Sequence, residues 1–148
     1  MKKLNIFILC ISILLIQFSK AEEIFWSLKN NKVNVRYSHG KEHAIKYIYE
    51  KINLPVKQID KKDNWRRIVD LKNNSGWIHN SQLKKANSII ILENKILFKK
   101  PSKFSKPIAR LEKGRLLIIK RCEKIWCKIK TDNYSGWIIN NNVWGYIK

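Results

Sequence analysis

Three groups of residues in this chain have types and spacings that could do chemistry: a close cysteine pair, three histidines, and recurring tryptophans with nearby tyrosines. Cys122 and Cys127 flank Glu123-Lys124-Ile125-Trp126, where a hairpin would turn and set its two ends face to face. In an oxidising compartment such a pair closes as a disulfide. The competing chemistries are a redox-active pair or half a metal site, but the spacing is not Cys-x-x-Cys and no histidine lies nearby in sequence. The pair is expected to be structural. His39, His43 and His79 sit beside Gly40, Lys41 and Asn80 with no carboxylate cluster, whereas a metal needs convergent ligands and a second shell of support. They read as solvated loop residues, so no metal and no cofactor is expected, and His79 is assigned no chemistry.

Acid–base and nucleophilic catalysis find no better footing. Asp60, Asp63, Asp70, Glu112 and Asp132 lie in turns or next to lysines, which turn formation explains. No serine sits in a nucleophile elbow, and five glycines form no phosphate-cradling loop. The expectation is a protein that binds and is not an enzyme.

The aromatic residues carry the sharper hypothesis. Side chains alternate faces along a strand, so Trp65 and Ile68 have opposite parity, as do Trp77 and Ile78, Trp126 and Ile129, and Trp137 and Ile138. If the isoleucines point inward, the tryptophans point outward. Trp65 and Trp77 would then meet across neighbouring strands, joined by Tyr37, Tyr47 or Tyr49 from a long loop. These five residues form the candidate ligand-binding patch. In the competing arrangement the indoles are covered by that loop, by the N-terminal strand or by the other repeat, and serve as a second small core. Because a two-unit chain must bury a surface between its units, the covered arrangement is the default expectation.

The elements that would position these residues come in two copies. Trp65-Arg66-Arg67-Ile68 and Ser75-Gly76-Trp77-Ile78 are matched by Trp126-Cys127-Lys128-Ile129 and Ser135-Gly136-Trp137-Ile138, with spacing that agrees within one residue. Upstream, Ser27-Leu28-Lys29 is echoed by Ile91-Leu92-Glu93, and Lys32-Val33-Asn34-Val35-Arg36 by Lys95-Ile96-Leu97-Phe98-Lys99. Leu54-Pro55-Val56-Lys57-Gln58-Ile59 parallels Arg115-Leu116-Leu117-Ile118-Ile119. Each segment is short, rich in Val, Ile and aromatics, and bounded by turn residues, which predicts strands in tight succession. Residues 37–53 of the first copy are an insertion that alternates well enough for an irregular hairpin, with a helical turn as the alternative. Short strands without a long amphipathic helix predict an all-β chain of small closed barrels.

The N-terminus has a different character. Met1-Lys2-Lys3 precedes an apolar stretch from Leu4 to Leu15, followed by Ser19-Lys20-Ala21, the layout of a secretory signal cut after Ala21. The stretch is shorter than the roughly 20 apolar residues of a spanning helix, although Lys20 close to the cut keeps an uncleaved anchor as the alternative. Cys10 lacks the small residues before it that lipid modification requires, so no lipid anchor is expected. The predicted organisation is a signal peptide over 1–21, a first domain over 22–85 and a second over 86–148. No transmembrane segment is expected in the mature chain, and a periplasmic or secreted location follows. Removing Lys2, Lys3 and Lys20 from 31 basic residues leaves 28 against 11 acidic ones, a charge of about +17. Such a field attracts polyanions, although lysines dispersed over a chain rich in Lys, Asn and Ile also make an ordinary solvated surface.

Lys-Val-Asn-Val-Arg at 32–36, Leu-Pro-Val at 54–56, Trp-Arg-Arg-Ile at 65–68 and Gly-Trp-Ile at 76–78 resemble bacterial SH3 domains, over nearly the whole mature chain. The Ser-Gly-Pro-Ser type turn of many relatives is here Tyr37-Ser38-His39-Gly40, and the second copy departs further with Lys100-Pro101-Ser102. The resemblance implies two tandem small SH3-like β-barrels after a cleaved signal peptide, of the kind secreted by Gram-negative bacteria, and a binding role. The expected partner is peptidoglycan or another anionic envelope polymer, with an acidic protein docked by an adapter as the alternative. An exported chain would not meet nucleic acid. The first copy, with the fuller motif and the basic, aromatic loop, is expected to hold any binding surface; the second is expected to stabilise it.

Overall fold

Runs of Val, Ile and aromatic residues between Asn- and Asp-bearing turns form strands throughout the computed structural model, which describes residues 22–131 and 133–145. The segment 1–21, where the signal peptide is expected, lies outside the described residues. No helix among the described residues is long and apolar enough to cross a membrane. The first unit comprises β1 (Phe25–Leu28), β2 (Val33–Arg36), β3 (Ile45–Tyr49), β4 (Pro55–Lys62), β5 (Trp65–Val69), β6 (Ser75–His79) and β7 (Leu83–Lys85). The second comprises β8 (Ser88–Ile91), β9 (Lys95–Phe98), β10 (Pro107–Leu111), β11 (Leu116–Glu123), β12 (Trp126–Lys130), β13 (Ser135–Ile139) and β14 (Val143–Gly145). A single 3₁₀ turn, Asn80–Gln82, connects β6 to β7.

Each unit is one seven-stranded sheet, ordered β3-β2-β6-β5-β4-β1-β7 and β10-β9-β13-β12-β11-β8-β14. Every strand of the first sheet sends a side chain to one cluster of Leu28, Val33, Val35, Val56, Ile68, Ile78 and Leu83, edged by Tyr47 and Tyr49. The second cluster is built alike from Ile89, Ile91, Leu97, Leu111, Leu117, Cys127, Ile129 and Ile138, edged by Val143. A sheet whose seven strands share one core must curl around it, although neither pair of outermost strands is hydrogen-bonded to the other. The isoleucines of the Trp-x-x-Ile and Gly-Trp-Ile segments are fully buried, as the parity argument requires. Gly76 lets β6 pass β2 closely: a Cβ there would meet Val35 Cγ1 at 2.4 Å and the Arg36 carbonyl at 3.0 Å.

The insertion after β2 resolves into β3, which pairs back on β2 with a register shift at Val35/Arg36, so it is an irregular hairpin. Two upstream correspondences move by one residue. Leu28 matches Ile91, since Ser27 pairs with Pro55 while Ile90 pairs with the equivalent Leu116. Likewise Arg36 and Phe98 are equivalent, because each pairs with the tryptophan of its Gly-Trp-Ile segment. A one-residue slip exchanges faces, so Lys95 takes the core position of Val33, and Phe98 takes the outward position of Arg36.

Only Ala86 and Asn87 separate the two sheets, and the seam beside them is aromatic and hydrogen-bonded. Phe25 meets Trp144 edge to face at 5.2 Å, and Trp144 Nε1 donates to the Pro55 carbonyl at 3.1 Å. Beneath them the buried hydroxyls of Ser27 and Ser88 are 2.7 Å apart, and the Asn87 amide donates to Ser27 Oγ at 3.2 Å. The seam is therefore made by Phe25 and Trp144, and Trp65 and Trp77 take no part in it.

Candidate functional site

The outer face of β2, β6 and β5 is a small grid fixed by strand register. Arg36, Trp77 and Arg67 form one row across the three strands, and His79 and Trp65 face each other in the next. Side chains two apart on a strand share a face, so both rows point away from the core. Trp65 and Trp77 are thus diagonal neighbours, and they do not pair with each other. Trp65 instead meets His79 edge-on at 5.2 Å, and Trp77 meets His39, from the loop after β2, also at 5.2 Å. The expected tryptophan pair is replaced by two indole–imidazole pairs because the ladder sets His79, and not Trp77, opposite Trp65.

Of the three histidines, His39 and His79 thus each pack on an indole and are not merely solvated. His79 Nδ1 accepts the Ser81 amide at 3.3 Å and lies 2.8 Å from Ser81 Oγ, which leaves the proton of a neutral ring on Nε2. The signal was present in the sequence: His79 follows Trp77 by two residues on the same strand, hence on the same face. Among the described residues no three metal-ligating side chains converge.

A groove of about 290 Å³ runs beside this grid, lined by Asn34, Arg36, Lys41, Trp65, His79 and Ser81. Gln82 closes its end, its Oε1 accepting the Asn34 amide at 3.3 Å. Arg36 is held in place by donating from Nη1 to the His43 carbonyl. The lining contains two permanent cations, an indole and an imidazole, and no carboxylate. Such a groove can take an anionic group at the guanidinium while an apolar or sugar face rests on the indole.

The second unit has a groove of about 300 Å³ in the same place, and its chemistry is different. Ile96 stands for Asn34, Phe98 for Arg36, and Ile139 for His79, while Glu93, Lys95 and Lys103 bring one carboxylate and two ammonium groups to its lining. Phe98 packs edge-on against Trp126 at 5.7 Å. Trp137, the counterpart of Trp77, is only 6% exposed, and the Arg121 guanidinium lies over its ring at 5.2 Å. Asp60 occupies the Arg121 position in the first unit and cannot cover an indole in this way.

Of the five candidate residues, Trp65 borders the groove and Trp77 lies on the grid beside it. Tyr37 is 66% exposed, with the Lys46 ammonium 5.7 Å above its ring. Tyr47 and Tyr49 do not join them: their parity on β3 turns both rings inward, edge to face at 5.2 Å, against the core cluster. Burial raises both phenols above their ordinary range. Tyr49 donates to Asp70 Oδ2 at 3.0 Å, and Asp70 Oδ1 accepts the amides of Lys72 and Asn74, so this carboxylate organises the β5–β6 turn. Cys122 and Cys127 form a disulfide between directly opposed residues of β11 and β12.

Comparison with known proteins agrees with this tandem organisation. The family model described as "Bacterial SH3 domain" matches residues 29–85 and again 93–145. No curated protein matches the sequence. Two solved structures from Trichomonas vaginalis are similar to the chain: NlpC2 at 13% identity and TM-score 0.40, covering 85% of this chain, and NlpC1 at 13% identity and TM-score 0.39, covering 84%. The chain spans about half the length of each, 49% and 46% respectively.

Proposed function

The chain belongs to the bacterial SH3 domain family, and from that premise we propose that it is an exported, non-catalytic binding protein whose first unit grips an envelope polymer. Bacterial SH3 domains bind cell-wall polymers. The ligand proposed is peptidoglycan, whose peptides offer free carboxylates to Arg36 and Lys41 while a neighbouring sugar or aliphatic face lies on Trp65. Each curled sheet acts as an SH3-like barrel, and the location is periplasmic or secreted. The observation that carries this reading is the contrast at one shared place: the first groove sets Arg36 and Lys41 beside the Trp65 indole with no carboxylate, whereas the second is lined by Ile96, Phe98 and Ile139 together with the paired Glu93 and Lys95 and with Lys103, and holds no indole.

The same unneutralised cations favour a second reading, an adapter that docks an acidic protein. Salt separates the two, because screening weakens charge contacts far more than indole stacking. Purified sacculi are expected to retain the protein at roughly 0.5 M salt, well above physiological ionic strength. Trp65→Ala and Arg36→Gln are each expected to weaken retention about tenfold, the scale of one lost stacking or charge-assisted contact, with little change in melting temperature. The equivalent Trp126→Ala should leave retention unchanged. Retention that disappears with salt in the wild type would favour the acidic partner. Retention insensitive to both Trp65→Ala and Arg36→Gln would remove the groove from the function.

A further inference from the structure

The connection between β9 and β10 is a hairpin tip unlike anything in the first unit. Its eight residues, Lys99-Lys100-Pro101-Ser102-Lys103-Phe104-Ser105-Lys106, contain four lysines, all exposed, and no acidic residue lies anywhere between Glu93 and Glu112. Phe104 is 100% exposed. No ion pair among the described residues involves these lysines. In the first unit the corresponding loop folds back, placing His39 on Trp77. Here nothing covers the phenyl ring.

This tip is nevertheless ordered by its own hydrogen bonds. The Lys99 amide donates to the Lys106 carbonyl at 3.0 Å, and Ser102 N to the Lys100 carbonyl at 2.8 Å. Ser105 N donates to the Ser102 carbonyl at 3.1 Å. The two serine hydroxyls accept two further inner amides, Ser105 Oγ from Lys100 at 2.9 Å and Ser102 Oγ from Phe104 at 3.2 Å. Phe104 is therefore held outward by a turn in which its own amide and those of Lys100, Ser102 and Ser105 are already paired, which lowers the penalty for leaving water. Ile96, 41% exposed, and Ile108, 38% exposed at the β-bulge between Pro107 and Ala109, continue apolar surface down the same hairpin.

We propose that this hairpin tip is a membrane-docking element: Phe104 enters the interfacial region of an anionic lipid bilayer while Lys99, Lys100, Lys103 and Lys106 engage the phosphate headgroups around it. The shape selects this partner. Lys103 borders the groove of the second unit, but Phe104 does not line it, and a fully exposed ring at a tip suits a bilayer, which closes around a protrusion. The charge selects the leaflet, since lysines near an anionic surface each add attraction and a single aromatic anchor needs that second signal to bind stably. The site lies on the second unit and is independent of the groove in the first, so the chain would hold a polymer and a membrane surface at once.

The test uses the exported chain, its amino terminus read by mass spectrometry, with phosphatidylglycerol/phosphatidylcholine vesicles and with phosphatidylcholine alone. The wild type is expected to co-sediment with the anionic vesicles and not with the neutral ones. Phe104→Ala should weaken binding about tenfold, and the double variant Lys100→Gln/Lys103→Gln by more than tenfold, at about fivefold for each lysine. Phe104→Cys carrying an environment-sensitive fluorophore should shift to shorter wavelength on anionic vesicles, while the same label at Asn31→Cys should not. Wild-type affinity in Phe104→Ala overturns the proposal. So does a label at position 104 that stays in water while the protein sediments, or one that responds to polyglutamate or duplex DNA and not to vesicles.

Discussion

Lys95 occupies the core position that Val33 fills in the first unit, with its side chain only 6% exposed. A buried ammonium is tolerated here because Nζ donates to Glu93 Oε1 and to Asn141 Oδ1, both at 2.9 Å. Lys95, and after it the Asn142 amide, hold the Glu93 carboxyl below its ordinary range. A depressed carboxyl contributes stability above the unfolded value of about 4.3, and that contribution is lost as pH falls through the lower folded value. The Glu93 side chain is 43% exposed, so removing the buried lysine leaves a carboxylate that water solvates and relieves the cost of burying the ammonium. Lys95→Met is accordingly expected to melt at or above the wild-type temperature at neutral pH, and to lose less stability between about pH 5 and pH 2. Thermal melts at the two ends of that range check it, and a lower neutral melting temperature would show that the pair is a net stabiliser. Residue identity was plain in the sequence, but the burial of this lysine was not, because the upstream strands were aligned one residue out of register.

The two long hairpins, β4–β5 and β11–β12, share one register, and one cross-strand pair of the second is covalent. Both turn through a residue of positive φ, Asp63 at 47° and Lys124 at 52°, and both carry one register shift. Where Lys61 faces Arg66 in the first, Cys122 faces Cys127 in the second. Closing so short a loop stabilises by about 2 kcal/mol on the chain-entropy model. Reduction is therefore expected to raise amide exchange in β12 to match about 2 kcal/mol of lost protection, leaving β5 unchanged. Equal losses in both strands would mean that the bridge supports the whole molecule. The hairpins were legible as paired apolar runs around turn residues. Strands β7 and β14 were not, being three residues long and carrying too little alternation to stand out.

Across the whole molecule, the seam ties the two curled sheets together through one tryptophan that belongs to neither repeat motif. Trp144→Ala removes the edge contact with Phe25 and the hydrogen bond to Pro55, a loss of about 2 kcal/mol. The two units should then unfold in separate steps where the wild type unfolds in one, as calorimetry can record; a single unshifted transition would mean that the Ser27–Ser88 contact is the coupling. The candidate site was partly legible in the same way. Trp65, Trp77 and the outward face followed from strand parity and from the repeat, which are local properties that any β-strand imposes on its sequence. That His79 and not Trp77 stands opposite Trp65, that Tyr47 and Tyr49 turn inward, and that Phe98 lines the second groove depend on the registers between β2, β5 and β6 and between their counterparts. The sequence by itself determined two tandem all-β units of the bacterial SH3 family, a basic charge and a cysteine pair placed to close. Only the tertiary structure decided which unit sets two cations beside an indole and which displays Phe104, because register and burial are set by long-range pairing that no single segment encodes.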